Sequence, residues 1–348
     1  MMTTRIGKRA KTLVAAGSLL GLACLALSLG PYAHLGAGDL LITLGALLGL
    51  ADGADDMTTL IVRDIRLPRI VLALVAGGAL ALSGGVLQGL FRNPLADPGL
   101  IGVSSGGAIG AVVVIIFGSH WIDYTSPWAG FILPLASMAG AIAVTLLIYH
   151  VARTHLGTRV VLMLLCGIAV NALAGSFIGL AIYVADDQQM RAFTFWSMGS
   201  LAQSGWVLIL PALLLCVPAA VILFFQSRML DAMLLGEAQA WSMGVDIQTV
   251  KRRVIVASAA LAGATVALCG MIGFIGLVAP HLARMIVGPE HRAMLPLALL
   301  IGAILLLVAD TLARLLVAPA EIPVGIFTAL LGAPFFLALL LHRRANLV

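Results

Sequence analysis

Charge is scarce in this chain. Asp, Glu, Lys and Arg make up 10% of its residues, against roughly 25% in a soluble domain, and no stretch is polar enough to fold as a separate soluble unit. The four cysteines, Cys24, Cys166, Cys216 and Cys269, lie inside apolar runs with no CxxC spacing, which excludes a disulfide framework and a cysteine zinc site. No HExxH or similar ligand spacing occurs among the acids and histidines, so no metal site and no catalytic constellation is expected. The phosphate loop GxxxxGK[ST] is also missing, since the only Gly-Lys pair, at Gly7, precedes an arginine. ATP hydrolysis is not encoded here.

What the sequence does have is apolar length. Of 348 residues, 61% are hydrophobic and the mean hydropathy is +1.12. With about 20 apolar residues needed per helical span, the runs between polar breaks predict ten spans, near residues 12–30, 67–91, 99–118, 128–149, 160–184, 206–225, 253–271, 273–288, 295–315 and 324–341. The expected fold is an all-α polytopic membrane protein, with residues 1–348 forming a single transmembrane domain. The basic start and apolar run of the first 30 residues also resemble a signal peptide, but the length of the run favours a retained first span.

The distribution of charge orients these spans. Arg63, Arg66, Arg69, Arg191 and Arg314 fall on one side with most of the acids, and the other fifteen of the 20 basic residues fall on the opposite side. The positive-inside rule then places both termini in the cytoplasm. A weak repeat at an offset of 186 pairs Gly77 with Gly263, Gly84 with Gly270, Pro94 with Pro280 and Gly102 with Gly288. It divides the chain into a first copy at about 66–184 and a second at about 253–341, of opposite orientation, as in transporters built from inverted repeats. The stretch from Arg66 to Gly107 holds paired arginines, a glycine-rich run, a proline-bracketed turn and a second small-residue run. Two closely packed helices joined by a rigid turn are expected there, because small side chains let membrane helices approach closely. Between about 228 and 250, Leu234, Leu235, Ala238, Trp241, Ser242 and Val245 recur at helical spacing, predicting a short amphipathic helix on the cytoplasmic side.

Five segments in order, RLPR (66–69), SGGVLQGLFRNPLADPGLIGVSSGG (83–107), LGEAQAWSMGV (235–245), GFIGLVAPHLAR (273–284) and LVADTLARLLVAPAEIPVGIFTALLGAPFF (307–336), resemble the FecCD-type bacterial ABC importer permeases for cobalamin, heme and ferric siderophores. The resemblance implies a type II importer permease fold of ten spans in the inner membrane. It also implies a second copy of the chain, two ATP-binding subunits that hold ATP and Mg, and a periplasmic binding protein. By the same resemblance, Arg66, Arg69 and Arg314 receive carboxylates of the binding protein. Leu235, Gly236, Glu237, Ala238 and Gly244 belong to a coupling helix pair seated in a groove on the ATPase. Asn93, Leu95 and Thr158 form cytoplasmic gates, and Asn171, Ser176 and Thr328 lie along a pathway between two subunits. No nucleic-acid partner and no cofactor bound by the chain itself is expected.

The segment from Asp186 to Leu201 is most similar to heme permeases, which makes heme the expected cargo ahead of ferric siderophore and cobalamin. His34, His120 and His281 are weak candidates for heme ligation, as are Tyr183 and Met190, because a lone histidine near a helix end is usually structural. A secondary transporter driven by protons or sodium is the alternative class. It requires ionisable groups near mid-membrane, and Asp310 is the only acid inside a predicted span, towards its outer end.

Overall fold

A computed structural model describes residues 2–29, 35–47, 55–118, 121–123, 125–154, 157–318 and 320–345. The regular secondary structure of the described residues is helical except for one two-residue β pair. In order, the helices are α1 (Met2–Ser28), α2 (Ala37–Leu47), α3 (Asp56–Leu60), α4 (Leu67–Leu90), α5 (Val103–Val112), α6 (Ala129–Val151), α7 (Val160–Val184) and α8 (Asp187–Ser197). They continue with α9 (Trp206–Phe225), α10 (Ser227–Leu234), α11 (Glu237–Ser242), α12 (Ile247–Cys269), α13 (Ile275–Val287), α14 (His291–Leu315) and α15 (Val324–Ala345). Among the described residues, seven helices are long and apolar enough to cross a membrane. The other three expected spans coincide with shorter apolar helices, Val103–Phe117, Ile275–Val287 and Val324–Ala338. At 1.5 Å per residue Val103–Phe117 and Ile275–Val287 fall short of a 30 Å hydrocarbon core, whereas the third lies within α15, whose 22 residues reach about that thickness.

α3 runs into α4 through a wide π-helical turn, Ile61–Arg66, giving a continuous helical segment from Asp56 to Leu90. Pro68 sits in the first turn of α4, where its missing N–H costs nothing. The wide turn brings Arg66 to the inside, leaving it 5% exposed. α4 is buried along almost its whole length, and α12, α13 and α14 pack around it.

Close backbone approach makes this core. Gly77 of α4 and Gly302 of α14 face each other so tightly that a Cβ on either would overlap the other's carbonyl. Gly84 lies against the Gly276 carbonyl of α13, and Gly106 of α5 against Gly140 of α6. The small residues thus pack as expected, but between different partners. α4 and α5 share almost no contact, and α12 lies between them, taking a hydrogen bond from Ser83 on its Ser258 carbonyl and resting Val266 on Gly107. The expected packed hairpin is therefore corrected to two helices splayed around α12, joined by a turn and a 3₁₀ segment, Pro98–Ile101, long enough to reach around it. The offset of 186 sets most of α4 opposite α12, yet it pairs Pro94 in the turn with Pro280 inside α13.

Candidate functional site

A polar cluster at one end of α4 interrupts the apolar bundle and joins α4 to α14. Arg69 donates from Nε and Nη2 to Asp310 at 3.0 and 2.9 Å, and from Nη1 to both oxygens of Glu321 at 2.9 Å. Asp310 is fully buried. Arg314 approaches its other oxygen at 3.2 Å, without the direction of a hydrogen bond. Arg66 donates to the carbonyls of Leu27 and Ser28 at the end of α1. The three arginines expected to receive carboxylates of a binding protein are only 5–8% exposed. A guanidinium this deeply desolvated needs fixed partners, and α14, the end of α1 and the loop holding Glu321 supply them. Glu321, one-third exposed, is the member of the cluster open to solvent.

The expected gate and coupling residues fall into two groups, the turn after α4 and the contacts of Thr158 and α11 with the start of α12. Asn93 accepts the Leu95 amide on Oδ1 at 3.0 Å, and its own amide bonds the Gln88 carbonyl, so the turn after α4 is held by its own side chain. Asp97 caps the 3₁₀ segment by accepting the Gly99 amide at 2.8 Å. Loss of solvent holds its carboxyl above the ordinary value, opposed by that amide. Gln88 ties α4 to α13 through the Gly276 carbonyl and Arg284.

Thr158 lies in a short antiparallel pair, Arg153–Thr154 with Gly157–Thr158, between α6 and α7, and is 3% exposed. The segment at 228–250, one amphipathic helix by its periodicity and a helix pair by the resemblance, forms two helices, α10 and α11, broken at Leu235-Gly236. Gly236 has φ +130 and Gly244 φ +85, conformations an L side chain rarely adopts, and they bracket α11 in a tight two-sided turn. α10 buries Leu230 and Met233, and Asp231 reaches the start of α14, accepting the His291 amide at 2.7 Å. α11 turns the other way. Leu235, Trp241 and Met243 are 66%, 73% and 63% exposed, Ala238 is also exposed, and this apolar patch points away from the bundle.

Glu237, at the first position of α11, bonds Lys251 at 2.9 Å, and Lys251 also donates to the Thr158 carbonyl at 2.9 Å. Lys251 is 3% exposed. It escapes a sequence reading because it is the first of three consecutive basic residues and passes for one more inward charge; only its position on the buried face of α12, with Val250 and Val254, marks it out.

The expected pathway residues are not brought together. Asn171 on α7 accepts from Ser105 at 2.6 Å and donates to the Gly99 carbonyl at 3.3 Å, which fastens α7 to the start of α5. Ser176 is exposed and bonds back to the Ala172 carbonyl, whereas Thr328 is buried and bonds the Gly325 carbonyl of its own helix. His34 and His120 lie outside the described residues. His281 packs edge-on to Phe335 at 6.1 Å, Tyr183 and Met190 are exposed, and no group of three or more metal-ligating side chains forms among the described residues.

An apolar helical bundle with a buried ionic cluster at one end and a capped turn, a β pair and a protruding apolar turn at the other is the architecture of a membrane transport subunit. The chain belongs to the FecCD transport family, whose family model matches residues 14–342, and is an ABC importer permease of that family rather than an ATPase. It is 48% identical to the hemin transport system permease protein HmuU of Yersinia pestis over 81% of this chain and 83% of that protein. It is 42% identical to the vitamin B12 import system permease protein BtuC of Vibrio cholerae over 82% and 83%. A solved structure described as an inward-facing conformation of a metal-chelate type ABC transporter superposes with a TM-score of 0.81 at 32% identity, covering 96% of this chain and 99% of that one.

Proposed function

We propose that the chain is the permease of an ATP-driven importer that moves heme inward across a bacterial cytoplasmic membrane, working as a pair of identical subunits with both termini in the cytoplasm. The observation that carries the importer reading is the exposed apolar turn of α11. Its Leu235, Trp241 and Met243 stand clear of the bundle on a segment anchored from beneath by Asp231 and Lys251. Such a patch fits a groove on a separate ATP-binding subunit, which supplies ATP and Mg. At the other end, the arginine cluster suits docking of a binding protein, whose carboxylate would take the place of the solvent-facing Glu321 on Arg69. The mostly lipid-facing or partner-facing sides of α7 and α15 leave room for a second copy.

Heme is favoured by the higher identity to the hemin permease than to the cobalamin permeases. The deciding experiment reconstitutes the chain with its ATPase and binding protein in proteoliposomes and offers hemin, cobalamin and a ferric siderophore in parallel. Uptake of hemin well above the others supports the heme reading, and uptake of cobalamin or siderophore without hemin overturns it. Ion coupling is disfavoured by Asp310, which is locked between two arginines instead of facing a cavity where it would exchange a proton or sodium ion.

A further inference from the structure

Lys251 is a buried cation on α12 that contacts two separate elements. Its ammonium donates at 2.9 Å to the Glu237 carboxylate on α11 and at 2.9 Å to the Thr158 carbonyl on the β pair. The two partners differ in exposure. Glu237 is 46% exposed at the protruding turn, whereas Thr158 is buried at the entrance to α7. One helical turn away from Lys251 on the same helix, Gln248 accepts the Thr158 amide at 2.9 Å, so both backbone groups of Thr158 are held by α12 side chains.

Among the described residues the hairpin also holds itself through the Thr154 hydroxyl on the Gly157 carbonyl at 2.8 Å and the Arg159 amide on the Ala152 carbonyl at 3.3 Å. Its strands are two residues long, and it borders a polar cavity of about 490 Å³ whose walls include Tyr149 of α6 and Gln248 and Arg252 of α12. A short element held by few bonds is able to take a second position when those bonds change. A buried ammonium stripped of one acceptor is costly, so Lys251 follows Glu237 when α11 is displaced, and the Thr158 carbonyl follows Lys251.

We infer that Lys251 is the positioning residue that converts a displacement of the α11 turn into a displacement of the Thr158 hairpin. The inference deepens the proposed function and rests on it, because it takes α11 as the surface moved by an ATP-binding subunit. Glu237 is the input of the linkage, Lys251 its pivot and Thr158 its output. Lys251 touches neither nucleotide nor cargo in this scheme, and acts through the backbone it holds.

The test uses the reconstituted full complex and reads the ratio of chelate taken up to ATP hydrolysed. Lys251→Met is expected to keep hydrolysis while lowering that ratio about tenfold, a change within the ordinary range of coupling between sites. Lys251→Arg, which retains the charge and more than one donor, is expected to recover much of the ratio. The exchange E237K/K251E restores an ion pair but turns a carboxylate towards the Thr158 carbonyl, so the ratio is expected to stay low. Recovery in the exchange variant would overturn the inference by showing that the ion pair suffices without the hairpin bond. A Lys251→Met ratio within about twofold of wild type would overturn it too, being well under the smallest usual coupling energy. Failure of every Lys251 variant to assemble with the ATPase would place the lysine in assembly and likewise reject the inference. If the wild-type complex itself takes up no chelate with ATP, the fault lies with the importer reading beneath it.

Discussion

Arg69 and Asp310, 241 positions apart, join α4 to α14 through two nitrogens of one guanidinium at 3.0 and 2.9 Å from a carboxylate with no exposure to solvent. Asp310 also faces Arg314 at 3.2 Å. Removing the one buried anion that two buried cations share leaves both undercompensated. Asp310→Asn is expected to cost about 3–5 kcal/mol, the usual penalty for breaking a buried ion pair. Thermal unfolding of the detergent-solubilised protein checks this, and a variant as stable as wild type would mean that the arginines find other partners.

Glu321 occupies Arg69 Nη1 from the solvent side. A carboxylate arriving from a binding protein would compete for that nitrogen. Glu321→Gln is therefore expected to leave stability nearly unchanged and to tighten half-saturation of ATPase stimulation by the binding protein about tenfold, which corresponds to about 1.4 kcal/mol. Titration of the binding protein against the reconstituted complex measures it. Unchanged or weaker half-saturation would remove Arg69 from docking.

The glycine contacts separate packing from composition. A methyl at Gly84 would overlap the Gly276 carbonyl, whereas one at Gly21 of α1 meets nothing within 4 Å. Gly84→Ala is expected to destabilise by about 1–3 kcal/mol through overpacking, and Gly21→Ala to stabilise by about 0.5–1 kcal/mol through helix propensity. Melting temperatures of the two variants, compared side by side, decide the matter.

Asp246 caps α12 by accepting the Thr249 amide at 3.1 Å and its hydroxyl at 2.6 Å, and these bonds hold its carboxyl below the ordinary value. A carboxylate with a lowered folded pKa stabilises above its unfolded pKa and loses that contribution as pH falls through the folded one. Asp246→Ala is expected to lower stability at neutral pH, as loss of an N-cap does. The gap between variant and wild type should close as the pH falls below the usual aspartate range. A gap that persists in acid would mean the cap does not act through its charge.

Long apolar runs were the legible part of this protein. α7 and α9 begin and end where the sequence expectation puts them, at 160–184 and 206–225, because polar residues at both ends leave no other boundary. α2 and α8 were not foreseen. α2 is only 11 residues long, too short to stand out as a span, and α8 is a polar segment started by a capping box of Asp186 and Gln189. The arginines and Glu237 were legible as residues, yet their partners were not. Asp310, Glu321 and Lys251 acquire their roles only when distant helices meet, and periodicity within one helix carries no trace of that. The splay of α4 and α5 was hidden for the same reason, since a glycine-rich face specifies close approach without naming the helix that approaches.

The energy source of transport tests the central claim most directly. Proteoliposomes holding this chain, its ATPase and its binding protein are given hemin, with ATP present or absent and with or without a proton or sodium gradient. Uptake is expected to require ATP and to be indifferent to the gradients. Uptake that persists without ATP and follows an ion gradient would contradict it.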